Sequence, residues 1–421
     1  MSSQVPASIS QPKCHGGKYD YDTAIVGGGL VGQLLALILA EQGYQVALIE
    51  QQKIQKTYTD SFDNRSIALS YPAVCMFHKL GVWDQLSPYA TPIERIHVSD
   101  KGHFHQVNLN REDEHTPFLG AVVEMPHLLT VLSASLRLEK NIAVIAPAKI
   151  TGLINYEQGI KSLKLEINQV KSTLSAKLIV ACDGAQSQIR DWLGIFTKNI
   201  DYKQSALTFN VELKRGHNNI AYERFIGDGV MAMLPITQSR SACVWTMSPL
   251  EIETCLKMDD STFLKLAQST FGYRLGCFTK VGCRGRFPLH LVYADKLYQG
   301  NVLLFGNAAH FLHPVSGQGF NLSFRDIGAL YDLLFEFGIH EDNKALFESF
   351  EKLRIKDHKR TISVTNGLIK SFLSQNRVIK CGRGLGMGIL ERGELGKKFA
   401  NQLMMGRLDP MSSLTKEKVM E

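Results

Sequence analysis

The chain has 421 residues, of which 44% are hydrophobic and 21% are charged, and its formal net charge is +7. These proportions are those of a globular protein, and they exclude a disordered, collagen-like or low-complexity chain. The basic residues are spread along the sequence without a dense stripe or a recognisable module, so no nucleic-acid partner is expected.

Three further features bound the class of protein. No run of about 18 apolar residues occurs, which predicts that no helix spans a membrane. Residues 1–20 have no apolar segment of the kind found in secretory signals, and we interpret them as a flexible polar tail. None of the eight cysteines forms a CxxC pair. We therefore expect neither a metal site nor a thioredoxin-type site, and the scattered cysteines suit the reducing cytoplasm.

The first strong motif follows a short apolar strand at Tyr21–Val26. Gly27, Gly29 and Gly32 form GxGxxG, a helical pattern follows, and a second strand ends at Glu50. In such a unit the glycines allow a tight turn, close approach of a pyrophosphate and close helix–strand packing, while the acid accepts hydrogen bonds from ribose. The pattern predicts a dinucleotide site, the alternative being a glycine-rich turn of another α/β protein.

Two later segments have weaker signals of their own. An apolar strand runs into Asp183–Gly184, followed by Ser187 and Arg190, which alone is typical of a common Asp-Gly turn at a strand end. A further strand ends at Gly306–Asn307, and after a Gly/Pro-containing loop the sequence GQGFN begins a helix. A loop followed by a helix start offers free backbone N–H groups to an anion.

With these three segments in this order, the sequence resembles the flavoprotein aromatic hydroxylases of the para-hydroxybenzoate hydroxylase type. Within them it is most similar to the ubiquinone-biosynthesis branch, in the group of 2-polyprenyl-6-methoxyphenol hydroxylases. The resemblance covers residues 20–400, and a DxR segment (Asp63–Arg65) together with Phe287–Pro288–Leu289 supports that branch. One departure is Asn307, where the wider family has an aspartate that binds the flavin ribityl chain. Asparagine keeps the hydrogen-bonding shape and loses the charge.

The resemblance implies an α/β fold, with a Rossmann-like FAD-binding domain, an interleaved antiparallel-sheet substrate domain and a helical C-terminus. The FAD-binding domain is expected at 21–70, 120–198 and 285–365. The substrate domain is expected at 71–119 and 199–284, and a C-terminal helical segment at 366–421. Five large side chains of the substrate sheet face either a greasy substrate or the core, and core packing is the favoured interpretation: Phe209, Phe225, Met231, Met233 and Trp245.

The resemblance also implies the chemistry: an FAD-dependent monooxygenase that uses NAD(P)H and O2, through a flavin C4a-hydroperoxide, to hydroxylate a polyprenylated phenol. The alternatives are a non-catalytic FAD-binding scaffold of a quinone-synthesis complex, a flavin monooxygenase of another phenol, and a halogenase or oxidase on the same fold. Halogenases of this fold carry WxWxIP, whereas this chain has only Trp245 in VWTMSP. We assign no general base, because the phenol ring is activated by its own hydroxyl.

Carried over residue by residue, the resemblance assigns cofactor contacts to Gly27, Gly29, Gly32, Glu50, Arg65, Asp183, Gly184, Gly306, Asn307, Pro314, Gly317, Gln318, Gly319 and Asn321. Arg65 and His313 are the candidates for a catalytic contact near the flavin. The alternative for Arg65 is a structural hydrogen bond to Asp63. The alternative for His313, and the favoured one for His310, is a loop histidine bonded to backbone groups.

The C-terminal segment has an apolar helical face that includes Leu368 and Ile369. It is expected either to dock on its own chain or to touch a membrane or a ubiquinone-biosynthesis complex, because a polyprenyl substrate must come from lipid. The expected location is cytoplasmic, with peripheral contact to the inner membrane. The basic cluster Lys352–Arg360 is interpreted as a solvated surface, with a weak attraction to anionic lipid as the alternative.

Overall fold

The computed structural model describes residues 18–55, 61–102, 106–156, 159–227, 229–237, 239–312, 317–373, 394–407 and 411–416. Several predicted features lie outside these ranges: most of the N-terminal tail, two site candidates (His313 and Pro314), and residues 374–393 of the C-terminal segment.

The strands, numbered in chain order, are β1 (Tyr21–Val26), β2 (Val46–Ile49), β3 (Ser66–Ser70), β4 (Ala90–Ile93), β5 (Arg95–Asp100), β6 (Gln106–Asn110), β7 (Gly120–Glu124), β8 (Ile142–Ile145), β9 (Lys149–Tyr156), β10 (Gly159–Ile167), β11 (Val170–Ala181), β12 (Thr197–Leu213), β13 (Ile220–Ile226), β14 (Gly229–Thr237), β15 (Arg240–Met247), β16 (Phe278–Val281), β17 (Gly285–Ala294), β18 (Tyr298–Gln299), β19 (Val302–Leu304) and β20 (His310–Phe311).

The α-helices are α1 (Leu30–Glu41), α2 (Tyr71–Lys79), α3 (Trp83–Leu86), α4 (Met125–Leu138), α5 (Gln188–Trp192), α6 (Pro249–Lys257), α7 (Asp260–Phe271), α8 (Gln318–Phe337), α9 (Lys344–Leu373) and α10 (Glu394–Met405). Short 3-10 turns occupy Ser87–Tyr89, Arg111–Glu114 and Gly306–Ala308.

The first sheet has a parallel core in the order β19-β11-β1-β2-β8, with the hairpin strands β9 and β10 extending β11 and with β18 at one edge. Its central strands are buried on both faces, which explains their continuous runs of apolar residues. Helix α1 is buried along almost its whole length, because it packs against this sheet and against α4 and α8. The predicted α/β class and the Rossmann-like unit are confirmed.

The second sheet is larger and mainly antiparallel, in the order β20-β17-β12-β15-β14-β13-β5-β6, and β16 pairs with β12. Helices α6 and α7 cover one of its faces over an apolar cluster. Strand β17 runs antiparallel to β12 from the pair Thr197–Ala294 to the pair Thr208–Gly285. Residues 285–294 therefore complete this sheet, whereas the sequence analysis assigned them to the FAD-binding domain.

A third, three-stranded sheet in the order β3-β7-β4 packs against β14 of the second sheet and against the helices α2, α4 and α8. Strand β4 joins it although the sequence analysis placed residues 71–119 in the substrate domain. The two longest helices, α8 and α9, pack against each other behind the first sheet. None of the described helices combines the length and the apolar character needed to cross a bilayer.

Candidate cofactor-binding site

The three predicted motifs meet at one edge of the parallel sheet. Gly27 follows β1, Cys182 and Asp183 follow β11, and Gly306 follows β19. Backbone hydrogen bonds join the strand ends, from the Cys182 N–H to the Val26 carbonyl at 2.7 Å and from the Phe305 N–H to the Ala181 carbonyl at 2.9 Å. The carboxyl ends of parallel strands are where α/β sheets bind ligands. Segments more than a hundred residues apart thus meet at one edge of the sheet.

At two positions of the glycine loop a backbone carbonyl oxygen lies so close that no side chain fits. Gly27 has φ +106°, and a Cβ there would lie 2.3 Å from the Cys182 carbonyl oxygen. A Cβ on Gly32 would lie 1.9 Å from the Gly27 carbonyl oxygen. Gly29 is different, because no atom of the part of the chain that the structure describes lies within 4 Å of its Cβ position. The open space beside Gly29, at the start of a helix that no side chain caps, is suited to a phosphate.

Two side chains brace this loop. Glu50 Oε2 accepts a hydrogen bond from the Gly28 N–H at 2.6 Å, and Oε1 accepts one from the Gln52 N–H at 2.8 Å. Gln33, which the sequence analysis did not single out, donates from Nε2 to the Gly28 carbonyl at 2.8 Å. Gln33 is 1% exposed on an apolar helix, and a buried amide in such a helix is the signal that would have identified it.

The Asp-Gly motif joins the second and third segments. Asp183 Oδ2 accepts a hydrogen bond from the Ile189 N–H at 3.2 Å, while its buried Oδ1 has no partner in the described ranges. Arg190 donates to the Ala308 and Ala185 carbonyl oxygens, both at 3.1 Å. Ser187 caps α5 by accepting from the Arg190 N–H. Arg190 therefore positions the loop after β19 against the loop after β11.

The loop after β19 presents one side chain to solvent. Gly306 and Ala308 are buried, and Asn307 between them is exposed. Gly306 has φ +57°, and its Cβ position lies 3.2 Å from Val31 Cγ1 in the first turn of α1. The Asn307 amide is thus held next to the glycine loop, where it is available to a ligand hydroxyl.

The start of α8 has the same open character as that of α1. Gly317 has φ +60°, no side chain caps the helix, and among the described residues no atom lies within 4 Å of the Cβ positions of Gly317 and Gly319. Asn321, a predicted cofactor contact, donates from Nδ2 to the Gly317 carbonyl at 2.9 Å and accepts at Oδ1 from the Ser70 N–H at 2.9 Å. Its amide thus ties the helix start to β3. Gln318 is buried beside Arg325.

Arg65 and Asp63 do not bond to each other. Asp63 Oδ1 accepts from the Cys283 N–H at 2.6 Å, and the Arg65 guanidinium lies over the Phe287 ring, 5.3 Å from its centroid. The predicted structural alternative for Arg65 is therefore wrong. Asn210 on β12 donates to the Phe62 and Asn64 carbonyl oxygens at 2.7 and 2.9 Å, which fastens this segment to the second sheet.

A buried ion pair beneath this segment was missed by the sequence analysis. Arg240 Nη2 lies 3.0 Å from Glu124 Oε2, and the Glu124 side chain is only 6% exposed. The Arg240 guanidinium also lies 5.5 Å from the centre of the Phe62 ring. Because Glu124 ends β7 and Arg240 begins β15, the pair joins the small sheet to the large one. No local sequence pattern links two positions so far apart.

His310 has a carboxylate partner, so the backbone-bonded interpretation is wrong. Its Nε2 lies 2.7 Å from Asp326 Oδ2, and His358 Nε2 lies 2.8 Å from Asp326 Oδ1. Arg354 donates to Asp326 Oδ1 at 2.6 Å, and it also pairs with Asp357. All five residues are buried. The cluster Lys352–Arg360 is therefore only partly a solvated surface.

The charges of this cluster account for its pKa shifts. Burial alone would raise the pKa of Asp326, but His358 and Arg354 hold it well below the usual range. Burial lowers the pKa of His358 to about 4. The ligand atoms of His310, Asp326 and His358 lie within 4.8 Å of one another, as in a metal site. Arg354 already compensates the carboxylate, so a divalent cation would add charge next to a buried guanidinium.

The large side chains of the second sheet lie on its other face or in the core. Phe209, Met231, Met233 and Trp245 belong to the cluster covered by α6 and α7. Phe225 packs in a separate cluster near α2 and β6. Core packing, the favoured interpretation, is confirmed. The face toward Arg65 carries Ala206, which is paired with Phe287 across the strands.

The residues at this edge fit an FAD molecule. The edge combines open space at Gly29, an orphaned carboxylate oxygen on Asp183, an exposed amide on Asn307 and two uncapped helix starts. Helix starts and backbone N–H groups suit phosphates and anionic rings, while Asp183 and Asn307 suit hydroxyl groups.

Comparisons with known proteins agree with this geometry. The model of the FAD binding domain family matches residues 20–363. The ubiquinone hydroxylase UbiL of Rhodospirillum rubrum is 31% identical over 408 residues, covering 96% of this chain and 94% of the relative. The 3-demethoxyubiquinol 3-hydroxylase of Escherichia coli is 29% identical, covering 91% of this chain and 98% of the relative. Among solved structures, p-nitrophenol 4-monooxygenase PnpA of Pseudomonas putida has a TM-score of 0.74 at 17% identity, covering 92% and 98% of the two chains.

Proposed function

This chain belongs to the FAD binding domain family, and from that premise we propose that it is an FAD-dependent monooxygenase that hydroxylates the ring of a polyprenylated phenol in ubiquinone biosynthesis. Its co-substrates are NAD(P)H and O2. The observation that carries the proposal is the meeting of Gly29, Asp183 and Asn307 at one sheet edge, beside the uncapped start of α8.

When bound, FAD takes a hydride from NAD(P)H and supplies one atom of O2 to the electron-rich ring. The chain binds and orients it. The α1 start and the space at Gly29 would hold the pyrophosphate, and Glu50, already oriented by the Gly28 N–H, would accept from the ribose. Asp183 Oδ1 and the Asn307 amide would bind hydroxyl groups of the cofactor, which is supported by the unpaired oxygen of the first and the exposure of the second.

The flavin end depends on α8 and Arg65. The positive end of a 20-residue helix stabilises a nearby anionic ring by about 0.3–1 kcal/mol, and by up to ~2 kcal/mol where the site is partly buried. Arg65, stacked on Phe287, adds a second positive charge where the 61–65 segment meets the second sheet. These charges favour the reduced, anionic flavin ring. The opposing surface at Ala206 and Phe287 is apolar and suits a phenol with a prenyl chain.

The direct test is coupled turnover. The purified, FAD-loaded chain is given NADH or NADPH, ¹⁸O2 and a short-chain polyprenylphenol. We expect one ¹⁸O atom in the product and nicotinamide oxidation in proportion to it. The same reaction without phenol is the control, because nicotinamide oxidation alone then yields hydrogen peroxide. Oxidation that never produces a labelled phenol would contradict the proposal.

Quinone lipids from cells lacking the gene distinguish an enzyme from a scaffold. We expect an under-hydroxylated polyprenylphenol to accumulate, and its mass identifies the missing step. The Gly29→Ala chain, designed to bind FAD more weakly, should restore less ubiquinone than the original chain does. Restoration by an FAD-free chain would instead support the alternative of a non-catalytic scaffold in a quinone-synthesis complex.

We also propose peripheral contact with the cytoplasmic face of the inner membrane, directly or through a ubiquinone-biosynthesis complex. The support is the prenyl chain of the substrate, which resides in lipid, together with the net charge of +7. Vesicle flotation tests this contact. Absence of the chain from floated vesicles containing phosphatidylglycerol and substrate would contradict direct binding.

A further inference from the structure

A polar cavity lies on one face of the large sheet, and the 61–65 segment lies on the other face. It has a volume of about 270 Å³ and is lined by Arg95, His97, Gln106, Asn108, Ile220, Tyr222 and Arg274. Tyr222 also packs against the apolar cluster under α6 and α7, which marks this face as the helix-covered one. None of the predicted flavin contacts lines the cavity.

Positive charge gathers here without a matching carboxylate. His97 pairs with Tyr222, and Ser99 with Arg224, across β5 and β13, so Arg95, His97 and Arg224 project from the same face. Arg274 follows α7 on that side. No carboxylate is among the described residues that line the cavity. The nearby acids, Asp100 and Glu112, act on Arg224 and Arg95 from outside it.

His97 holds Arg274 without neutralising it. The Arg274 Nη1 donates to His97 Nε2, and a guanidinium has no acceptor, so Nε2 must carry the lone pair. The ring proton therefore lies on Nδ1 and is donated to Asn108 Oδ1, at 2.9 Å. Burial lowers the pKa of His97, as do the charges of Arg274, Arg224 and Arg95, which agrees with a neutral ring.

The guanidiniums have unused donors. Arg224 lies on the same face of the sheet without lining the cavity, and its buried Nε has no hydrogen-bond partner among the described residues. Arg95 and Arg274 are exposed at the cavity mouth. The guanidiniums of Arg95 and Arg274 line this space together with the amides of Gln106 and Asn108 and the phenol of Tyr222. Such a set suits a tetrahedral oxyanion, which presents more oxygens than a carboxylate.

We propose that Arg95 and Arg274 form a binding site for a phosphate group, in which His97 positions Arg274 and the positive charge of Arg224, on the same face of the sheet, adds to the attraction. The ligand is a phosphomonoester dianion, carried either by a soluble metabolite or by a lipid headgroup. The cavity holds such a group with several water molecules, since a water occupies about 30 Å³. The site is separate from the flavin edge, and the inference does not depend on the proposed reaction.

The test uses the full FAD-loaded chain in phosphate-free buffer. Inorganic phosphate is titrated against sodium chloride of equal ionic strength, and the melting temperature is followed. The expected result is a saturable rise with phosphate alone. Arg95→Gln and Arg274→Gln should each weaken phosphate binding about tenfold or more, because each removes a charged hydrogen-bond donor. Arg137→Gln, which changes an exposed arginine on α4, is the matched control and should bind as the original chain does.

Two further arms complete the test. His97→Leu should weaken phosphate binding, and His97→Gln, which keeps an acceptor near Nε2, should restore it. Phosphatidylcholine vesicles with and without phosphatidate identify the source of the phosphate group. If the chain binds vesicles only when they contain phosphatidate, and phosphate displaces it, the ligand is a lipid headgroup. If the chain binds phosphate but not these vesicles, the ligand is soluble. The proposal is overturned if phosphate acts like chloride and vesicles bind equally with and without phosphatidate. It is also overturned if Arg95→Gln and Arg274→Gln behave like Arg137→Gln.

Discussion

Adding one methyl group at two positions of the glycine loop should separate cofactor binding from folding. Gly29 has φ −69° and ψ −176°, a conformation open to alanine, and nothing lies within 4 Å of its Cβ position. Gly29→Ala should therefore leave the apoprotein as stable as before or up to about 1 kcal/mol more stable, because alanine restricts the unfolded chain. At Gly32 the methyl would meet the Gly27 carbonyl oxygen at 1.9 Å. Gly32→Ala should cost about 1–3 kcal/mol of unfolding free energy.

Both substitutions should weaken FAD binding, but only Gly32→Ala should also destabilise the protein. In Gly29→Ala the methyl fills the space in which a phosphate reaches the α1 start. Losing a hydrogen bond to a charged group costs about 1.5–3 kcal/mol, which corresponds to a loss of about 10–100-fold in FAD affinity. Gly32→Ala should lose affinity as well, but together with stability.

The assay combines urea unfolding of the apoprotein with fluorescence titration of FAD. Gly367→Ala in α9 is the matched control, since nothing lies within 4 Å of its Cβ position either. It should gain about 1 kcal/mol from helix propensity and bind FAD unchanged. An apo Gly29→Ala as unstable as Gly32→Ala, or one that binds FAD normally, would refute this account of the loop.

Three further outcomes follow from the site. Asp183→Asn should weaken FAD binding roughly tenfold in the same titration, with little change in apoprotein stability, because Oδ1 has no protein partner. The pKa of His358 is lowered from 6.5 to about 4, so the native state binds fewer protons than the unfolded chain between these values. The unfolding free energy should therefore be independent of His358 above pH 6.5. It should fall by about 3 kcal/mol as the pH drops to 4, because only the unfolded chain takes up the proton. His358→Gln should flatten that slope in urea titrations. Arg240→Met should cost about 3–5 kcal/mol by leaving Glu124 buried and unpaired, and adding Glu124→Gln should restore part of the loss. A double variant no more stable than Arg240→Met would contradict this.

The glycine loop was predictable because its determinants are contiguous. A buried strand, three glycines at fixed spacing, a helix and an acid fall within thirty residues, and each restricts the backbone locally. The α/β class followed from the same alternation of elements. The second and third motifs were weaker alone, since an Asp-Gly turn occurs in many folds, and they gained meaning only from their order and from the family resemblance.

Side-chain partners were decided by the tertiary structure. Arg65 stacks on Phe287 instead of bonding to its neighbour Asp63, and His310 bonds Asp326 instead of its own loop. Sheet register and helix packing bring these partners together from distant positions. A periodic pattern states which face of a strand or helix is apolar, but it carries no information about which distant side chain lies opposite. The sequence thus determined the cofactor loop, and only the folded chain determined the partners of Arg65 and His310.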